Sequence, residues 1–253
     1  MDRSSPLKAD PAAQLALLDL QAIDARADVL RHQRRTLPEL AEIAALQETR
    51  AGADAQRRDA QILVDDLTAE QHKVDLDVEQ VKTRRTRDRE RMDQGLITNP
   101  KDLERMQGEL ESLERRITTL EDEELEVMAR LEDAQKDLDG FLSQVSDADE
   151  RLGSLAAARD EKLAALDTEL ASLDAERTSA TETLPADLLG LYDKLREAKG
   201  GVGAALLRAR ECGGCRLTLD AHEIADIRSK PEDEVVRCEE CQRILVRTSE
   251  SGL

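Results

Sequence analysis

The stretch Asp93–Asp102, DQGLITNPKD, decides the architecture. Gly95 is a helix stop, because glycine takes up the left-handed cap conformation without strain. Asn99 can cap the next helix, with Pro100 at its first position, where a missing N–H costs nothing. A connection this short permits only a reversal, so the segments on either side are expected to form an antiparallel pair with its tip near 94–99. Leu96 and Ile97 stand in that turn as a candidate contact surface.

Working outward, both flanks carry a heptad pattern, apolar positions stepping alternately by three and four. Before the turn the series includes Ala60, Val64, Leu67, Gln71, Val74, Val78, Val81, Arg85, Asp88 and Met92. After it the series includes Leu103, Met106, Leu110, Leu113, Ile117, Leu120, Glu124, Val127, Leu131, Ala134 and Leu138. Such a period keeps one seam against a partner helix when the two supercoil. With the tip at about 97, position i should face roughly 194 − i. That rule sets Gln71 against Glu124 as a polar layer. It also sets Pro38, which must kink or break the outgoing helix, beside residue 156, where steps of four at Leu155, Arg159 and Leu163 form a stutter. The earlier seam reads Ala16, Leu20, Ile23, Ala27, Leu30, Arg34.

Composition agrees with a coiled coil. Charged residues make up 37% and aromatics 1%, too few large rings for an ordinary enzyme core. The net charge is −19, which repels nucleic acid and anionic membrane unless a local basic patch intervenes. Residues 101–182 hold 10 basic and 24 acidic side chains, whereas residues 12–92 hold 14 and 16, a difference that favours pairing between arms. No apolar run reaches membrane-spanning length and the N-terminal MDRSSPLKADP carries no signal segment, so a cytoplasmic location is expected.

All four cysteines lie near the C-terminus: Cys212 and Cys215 in ECGGC, Cys238 and Cys241 in CEEC. Two C-x2-C turns supply a closed tetrahedral thiolate set for zinc, with no open position for catalysis. One structural zinc ion is the expected cofactor. Gly213 and Gly214 leave N–H groups free to point at sulfur. A redox C-x-x-C would need a thioredoxin-like context, disulfides would suit a secreted chain, and iron would suit richer aromatic packing. So few large apolar residues need the metal for stability.

The expected organisation is a mainly α chain: a flexible tail (1–10), an antiparallel coiled-coil hairpin kinked near Pro38 (11–182), a connecting helix (183–199) and a β-rich zinc ribbon (200–253). The connecting helix should be capped near Thr183 and stopped by Gly200 and Gly201, docking through Leu188, Leu191, Tyr192 and Leu195. Strand-like stretches fall at 202–210, 216–219, 235–237 and 243–247, with a short helix begun by an Asp220–Glu223 capping box.

The segments LALLDLQAID, LPEL, NPKDLERMQGELESLERR, LYDKLREAKGGVG and CGGC…CEECQRILV together resemble the bacterial four-cysteine zinc-ribbon proteins with a long N-terminal coiled-coil hairpin, of the actinobacterial type. The resemblance covers nearly the whole chain. It implies zinc at the four cysteines, and it links the family to adaptor or chaperone roles in flagellar biogenesis and sigma-factor handling and to suspected nucleic-acid binding by the ribbon. The second knuckle reads CEECQR where many relatives carry proline and glycine, which makes this ribbon more acidic.

No cluster of acid, base and nucleophile and no glycine-rich phosphate loop occurs, and the histidines, His32, His72 and His222, are scattered. The expectation is a non-enzymatic adaptor with protein partners, no membrane contact and no small-molecule substrate; a homodimer is an open option. The alternative is nucleic-acid binding, through ribbon arginines Arg208, Arg210, Arg216, Arg243 and Arg247 or through the basic stretch 82–91 with Arg84, Arg87 and Arg91. Against it, the ribbon lacks a stacking aromatic and holds 8 basic and 10 acidic residues, and the stretch 82–91 faces Asp102, Glu104, Glu109 and Glu111.

Overall fold

The structure is a computed structural model that describes residues 6–253. Among the described residues five helices and four strands follow in order: α1 (Pro11–Arg35), α2 (Pro38–Asp93), α3 (Pro100–Glu182), α4 (Ala186–Ala198), β1 (Ala204–Arg208), β2 (Glu211–Cys212), α5 (Ala221–Ser229), β3 (Val236–Arg237) and β4 (Ile244–Val246). The chain packs as two compact units, one of Ala41–Ala156 and the other of the residues up to Leu40 with Ala157–Leu253.

The Ala41–Ala156 unit is an antiparallel helix pair. At its turn Gly95 has φ 64°, its N–H donates to the Met92 carbonyl (3.0 Å) and the Leu96 N–H to that of Arg91 (3.3 Å). These two bonds are a Schellman cap, which needs the left-handed residue that glycine supplies. Asn99 accepts from the Lys101 N–H through its side chain (3.0 Å) and Pro100 opens α3. The seam buries Val64, Leu67, Ala134 and Leu138 as one cluster.

The register differs from expectation by nearly a heptad. Arg50 pairs with Asp149 (2.7 Å), Glu70 with Arg130 (3.4 Å), Lys82 with Glu121 (2.8 Å) and Arg85 with Glu114 (2.9 Å), so position i faces about 200 − i. The non-helical residues 94–99 all lie on the α2 side of the pairing centre, and the first turns of α3 rise past the end of α2. Gln71 therefore does not meet Glu124, and the expected polar layer is not formed. The buried polar seam residue is Asp88, 5% exposed, with Arg84 (3.7 Å) and Arg87 (3.5 Å) beside it.

In the other unit the outgoing helix breaks where proline requires: Pro38 has no N–H to donate to Arg34, and Thr36 closes α1 by bonding to His32 and Gln33. Glu39 in the next turn pairs with Lys162. The break thus lies against the end of the stutter, near Leu163 and not at 156. Arg34–Asp167 (2.9 Å) continues that register.

Helix α1 buries Gln14, Leu17, Leu20, Asp24 and Ala27, so Leu20 and Ala27 of the expected seam are buried while Ala16, Ile23 and Leu30 are only half-buried at its edge. The reason is that α1 packs on more than α3: Leu17 and Leu20 share a core with Leu184, Leu188, Tyr192, Leu195, Ala204, Ile244 and Val246. The sheet order is β2-β1-β4-β3, with β1 and β4 parallel and the other pairs antiparallel. Alternation along the strands divides its faces. Ala204, Ile244 and Val246 meet the helices, whereas Ala205, Leu207 and Leu245 join a second core with Leu219, Ile224, Ile227, Val236, Cys212 and Cys238.

Three expectations need correction. Of the tail assigned to 1–10, residues 1–5 lie outside the described residues, but Leu7–Ala9 forms backbone bonds with the ribbon. Ala9 N–H donates to Asp233 O (2.8 Å), Val235 N–H to Leu7 O (2.9 Å), and Ala9 is buried. Residues 216–219 form only a single bridge, Thr218 to Glu211. Thr183 does not cap α4: its hydroxyl donates to Ala180 O, and Pro185 occupies the cap. The α5 capping box is present, Asp220 accepting from the Glu223 N–H (2.8 Å) and Glu223 from the Asp220 N–H (2.9 Å).

Candidate metal centre

Two knuckles bring the cysteines together. In the first, the Arg216 N–H closes on Cys212 O (2.7 Å); in the second, the Gln242 N–H closes on Cys238 O (2.8 Å). Arg216 and Gln242, each just after the second cysteine of its knuckle, both adopt positive φ, 61° and 64°. The two turns are thus built alike, and each accepts a side-chain-bearing residue in a region that costs about 1–2 kcal/mol. Gly213 and Gly214 serve close approach. A Cβ on Gly213 would lie 2.9 Å from Leu206 O, and one on Gly214 would lie 2.6 Å from the Arg243 Cδ.

The four Sγ atoms all lie within 4.8 Å of one another, with Cys212–Cys241 at 3.8 Å and Cys215–Cys238 at 3.9 Å across the knuckles. A tetrahedron with 2.3 Å metal–sulfur bonds has an edge of about 3.8 Å. The donor set therefore fits a tetrahedral thiophilic ion. All four thiols are free of disulfides. Burial raises the Cys212 thiol and pushes Cys238 up to about 12. Opposing this, backbone N–H groups of Gly214 and Cys215 point at the Cys212 sulfur, and those of Glu240 and Cys241 at the Cys238 sulfur. At Cys241 burial is outweighed by bonds from Arg243 and the neighbouring cysteines, and the thiol falls to about 7. His222 stays outside the set, its N–H capped by Asp220 (2.8 Å).

The helices at the ribbon's base are tied to one another, and through Gln21 to the ribbon, by polar groups that periodicity did not reveal. Asp24, 2% exposed, accepts from Tyr192 Oη (2.8 Å) and Arg177 Nε (2.9 Å), and the Arg196 Nε lies 3.2 Å away at an angle unsuited to a hydrogen bond. Arg177 reaches on to Asp193 and Arg196 to Asp28, both at 2.6 Å. Gln21 accepts from the Gly203 N–H and donates to Gly201 O, both at 2.8 Å. The one available signal was the sole tyrosine, Tyr192, whose hydroxyl needs a partner once buried.

Four of the five ribbon arginines singled out by sequence are bonded within the unit and do not form a free basic face. Arg247 donates to the carbonyls of Ile227, Lys230, Pro231, Glu232 and Glu234 at 2.7–3.4 Å. Arg243 holds Val202 O (3.0 Å) and Lys199 O (2.8 Å), Arg210 holds Gly252 O (3.1 Å), and Arg208 pairs with Glu250 (3.0 Å). Arg216 has no side-chain bond among the described residues. Near the turn, Arg84 pairs with Glu109, Arg87 touches Asp88, and Arg91 has no ion pair among the described residues. Leu96 is 66% exposed and Ile97 half-buried.

Fold and site define a class: a coiled-coil hairpin protein with a four-cysteine zinc ribbon. Residues 20–200 match the CT398-like coiled coil hairpin domain and residues 212–245 the C4-type zinc ribbon domain. The chain belongs to this CT398-like hairpin family. It is 36% identical over 243 residues to an uncharacterized protein of Mycobacterium tuberculosis, covering 95% of this chain and 98% of that one. A solved structure from Mycobacterium smegmatis is similar at a TM-score of 0.83 and 33% identity, covering 96% of this chain and 100% of that one. The structure of CT398 from Chlamydia trachomatis shares the fold at a TM-score of 0.68 and 18% identity, with 92% and 97% covered. No helix among the described residues is long and apolar enough to cross a membrane.

Proposed function

We propose that the protein is a non-enzymatic adaptor that binds protein partners, with a single structural zinc ion shaping the ribbon. Four thiolates fill a tetrahedral ion, so the metal supplies cohesion and has no position for substrate. It ties together a core in which Cys212 and Cys238 are themselves buried members. Surfaces open to partners include the turn, with Leu96 and Ile97, and the ribbon exterior, where Leu217 is 50% exposed.

The observation that carries a protein-partner reading over a nucleic-acid one is the engagement of the arginines. A phosphate-binding face needs free guanidinium groups. Arg243 and Arg247 instead hold backbone carbonyls, and Arg84, Arg85 and Arg208 hold carboxylates. What remains without a bond among the described residues is Arg216 and Arg228 on the ribbon and Arg89 and Arg91 near the turn, scattered charges on a chain of net −19.

Two measurements test the reading. Crosslinking of tagged full-length protein in its host, compared with a Leu96→Glu/Ile97→Glu variant, should yield a partner that the variant loses. A mobility-shift titration at about 50 mM salt should give no retarded nucleic acid. A salt-sensitive shift that Arg216→Ala or Arg91→Ala weakens would favour the alternative.

A further inference from the structure

Helix α1 carries a second apolar stripe besides its buried one. Its core side is Leu17, Leu20, Asp24 and Ala27. Round the opposite side stand Leu15, 45% exposed, exposed Ala22 and Ala25, and Val29, 56% exposed, with half-buried Leu18 at the stripe's edge, where it also packs against that core. These five step by three, four, three and four, the spacing of a coiled-coil seam. Isolated exposed apolar residues are ordinary on a protein surface, but a heptad stripe over four turns on a helix whose core face is already occupied is not. Ala25 and Val29 also border a shallow apolar depression shared with Arg26, Leu30 and Glu169.

We propose that this face of α1 binds the same face of a second copy of the chain, the two helices antiparallel about a two-fold axis. The flanking charges choose both occupant and direction. In the antiparallel register Ala22 lies against Ala25 of the second copy and Leu18 against its Val29. Asp19 then stands beside the second copy's Arg26, and the two-fold repeats the pair. Parallel pairing would set Asp19 beside Gln14 and Arg26 beside Gln21, with no opposite charge. Both charges are available: Asp19 has no ion pair among the described residues, and Arg26 is 67% exposed with one 3.6 Å contact to Glu176. The alanines at the centre allow close approach of the helices. Five seam residues a side make an interface below standard size, which places the dimer among weak, reversible associations.

Sedimentation equilibrium of the zinc-loaded full chain, from about 1 to 500 µM in about 150 mM salt, tests this. The expected result is a monomer–dimer equilibrium that Val29→Glu abolishes without changing the thermal melt, since Val29 is exposed. Asp19→Arg and Arg26→Asp singly weaken the dimer about tenfold or more, and the Asp19→Arg/Arg26→Asp double variant recovers to within about threefold of the parent. A monomer at every concentration, a dimer indifferent to Val29→Glu, or a double variant no tighter than the singles would overturn the proposal.

Discussion

Tyr192 donates a 2.8 Å hydrogen bond to the Asp24 carboxylate, joining two residues 168 positions apart, both almost fully buried. Burial and the adjacent carboxylate raise the phenol's pKa, so it is a neutral donor at neutral pH. Its counterpart carries a charge that only Arg177 and Arg196 offset. A buried carboxylate in this position is stable only while its donors stay.

Tyr192→Phe should therefore cost about 1.5–3 kcal/mol, the value of a hydrogen bond to a charged group. Asp24→Ala should cost more, about 3–5 kcal/mol, because it leaves two half-buried guanidinium groups without their shared partner. Denaturant unfolding of the zinc-loaded chain measures both. Equal and negligible effects would mean that the apolar core alone holds α1 to α4.

Gly203 tests the same junction by volume. A Cβ there would lie 2.6 Å from Tyr192 O and 2.8 Å from its ring. Gly203→Ala should destabilise by about 1–3 kcal/mol, the cost of overpacking. An unchanged melting midpoint would show that β1 shifts freely away from α4.

Arg247 should behave as a structural residue. Its fork satisfies carbonyls at the end of α5 and along 230–234. Arg247→Lys cannot span them all. Hydrogen exchange should accelerate at Val235 and Ala9, whose amides bond across that segment, and stay unchanged in the Ala41–Ala156 unit. Unaltered exchange at both amides would free Arg247 for another role.

Zinc affinity should rise steeply with pH. Cys212 and Cys238 are raised by burial, so both are thiols at neutral pH, and an ion that takes their sulfurs must expel their protons. Lower pH favours the protonated, metal-free side of that exchange. Two displaced protons give a change of at least about 100-fold per pH unit between about pH 6 and pH 8. Cys241, at about 7, adds to the slope in the lower half of that window. Competition with a chromophoric chelator reads the slope; a tenfold change or less would contradict it.

What was legible in the sequence was what local chemistry specifies. Gly95, Asn99 and Pro100 encode a reversal, Asp220 and Glu223 encode a capped helix, and paired cysteines encode two knuckles. Each is a few residues acting on their own backbone. The register was not legible, because heptads repeat and a shift of nearly one heptad leaves the apolar match almost intact; only the course of 94–99 fixes it. The Asp24 cluster was hidden for a different reason. Its members lie on α1, α3 and α4, far apart in sequence, and a single aspartate among hydrophobic heptad positions reads as a solvent-facing residue. The ribbon arginines misled because residue type shows charge but not what a guanidinium is already bonded to.

Chelation under reducing conditions should separate the two cores. Removing the ion leaves four clustered sulfurs within the core of Leu207, Ile224 and Leu245, and α5 should lose its support. Circular dichroism should keep most of its helical signal, since α2 and α3 draw on their own seam. Global loss of helix would mean that the metal holds the hairpin as well.

The central claim is that these four sulfurs enclose one zinc ion in a closed shell. Zinc-edge X-ray absorption on reduced protein, with the metal content measured on the same sample, tests it most directly. The account predicts one zinc per chain and a first shell of four sulfurs at about 2.3 Å. Absence of zinc, or a shell containing nitrogen or oxygen, would contradict it.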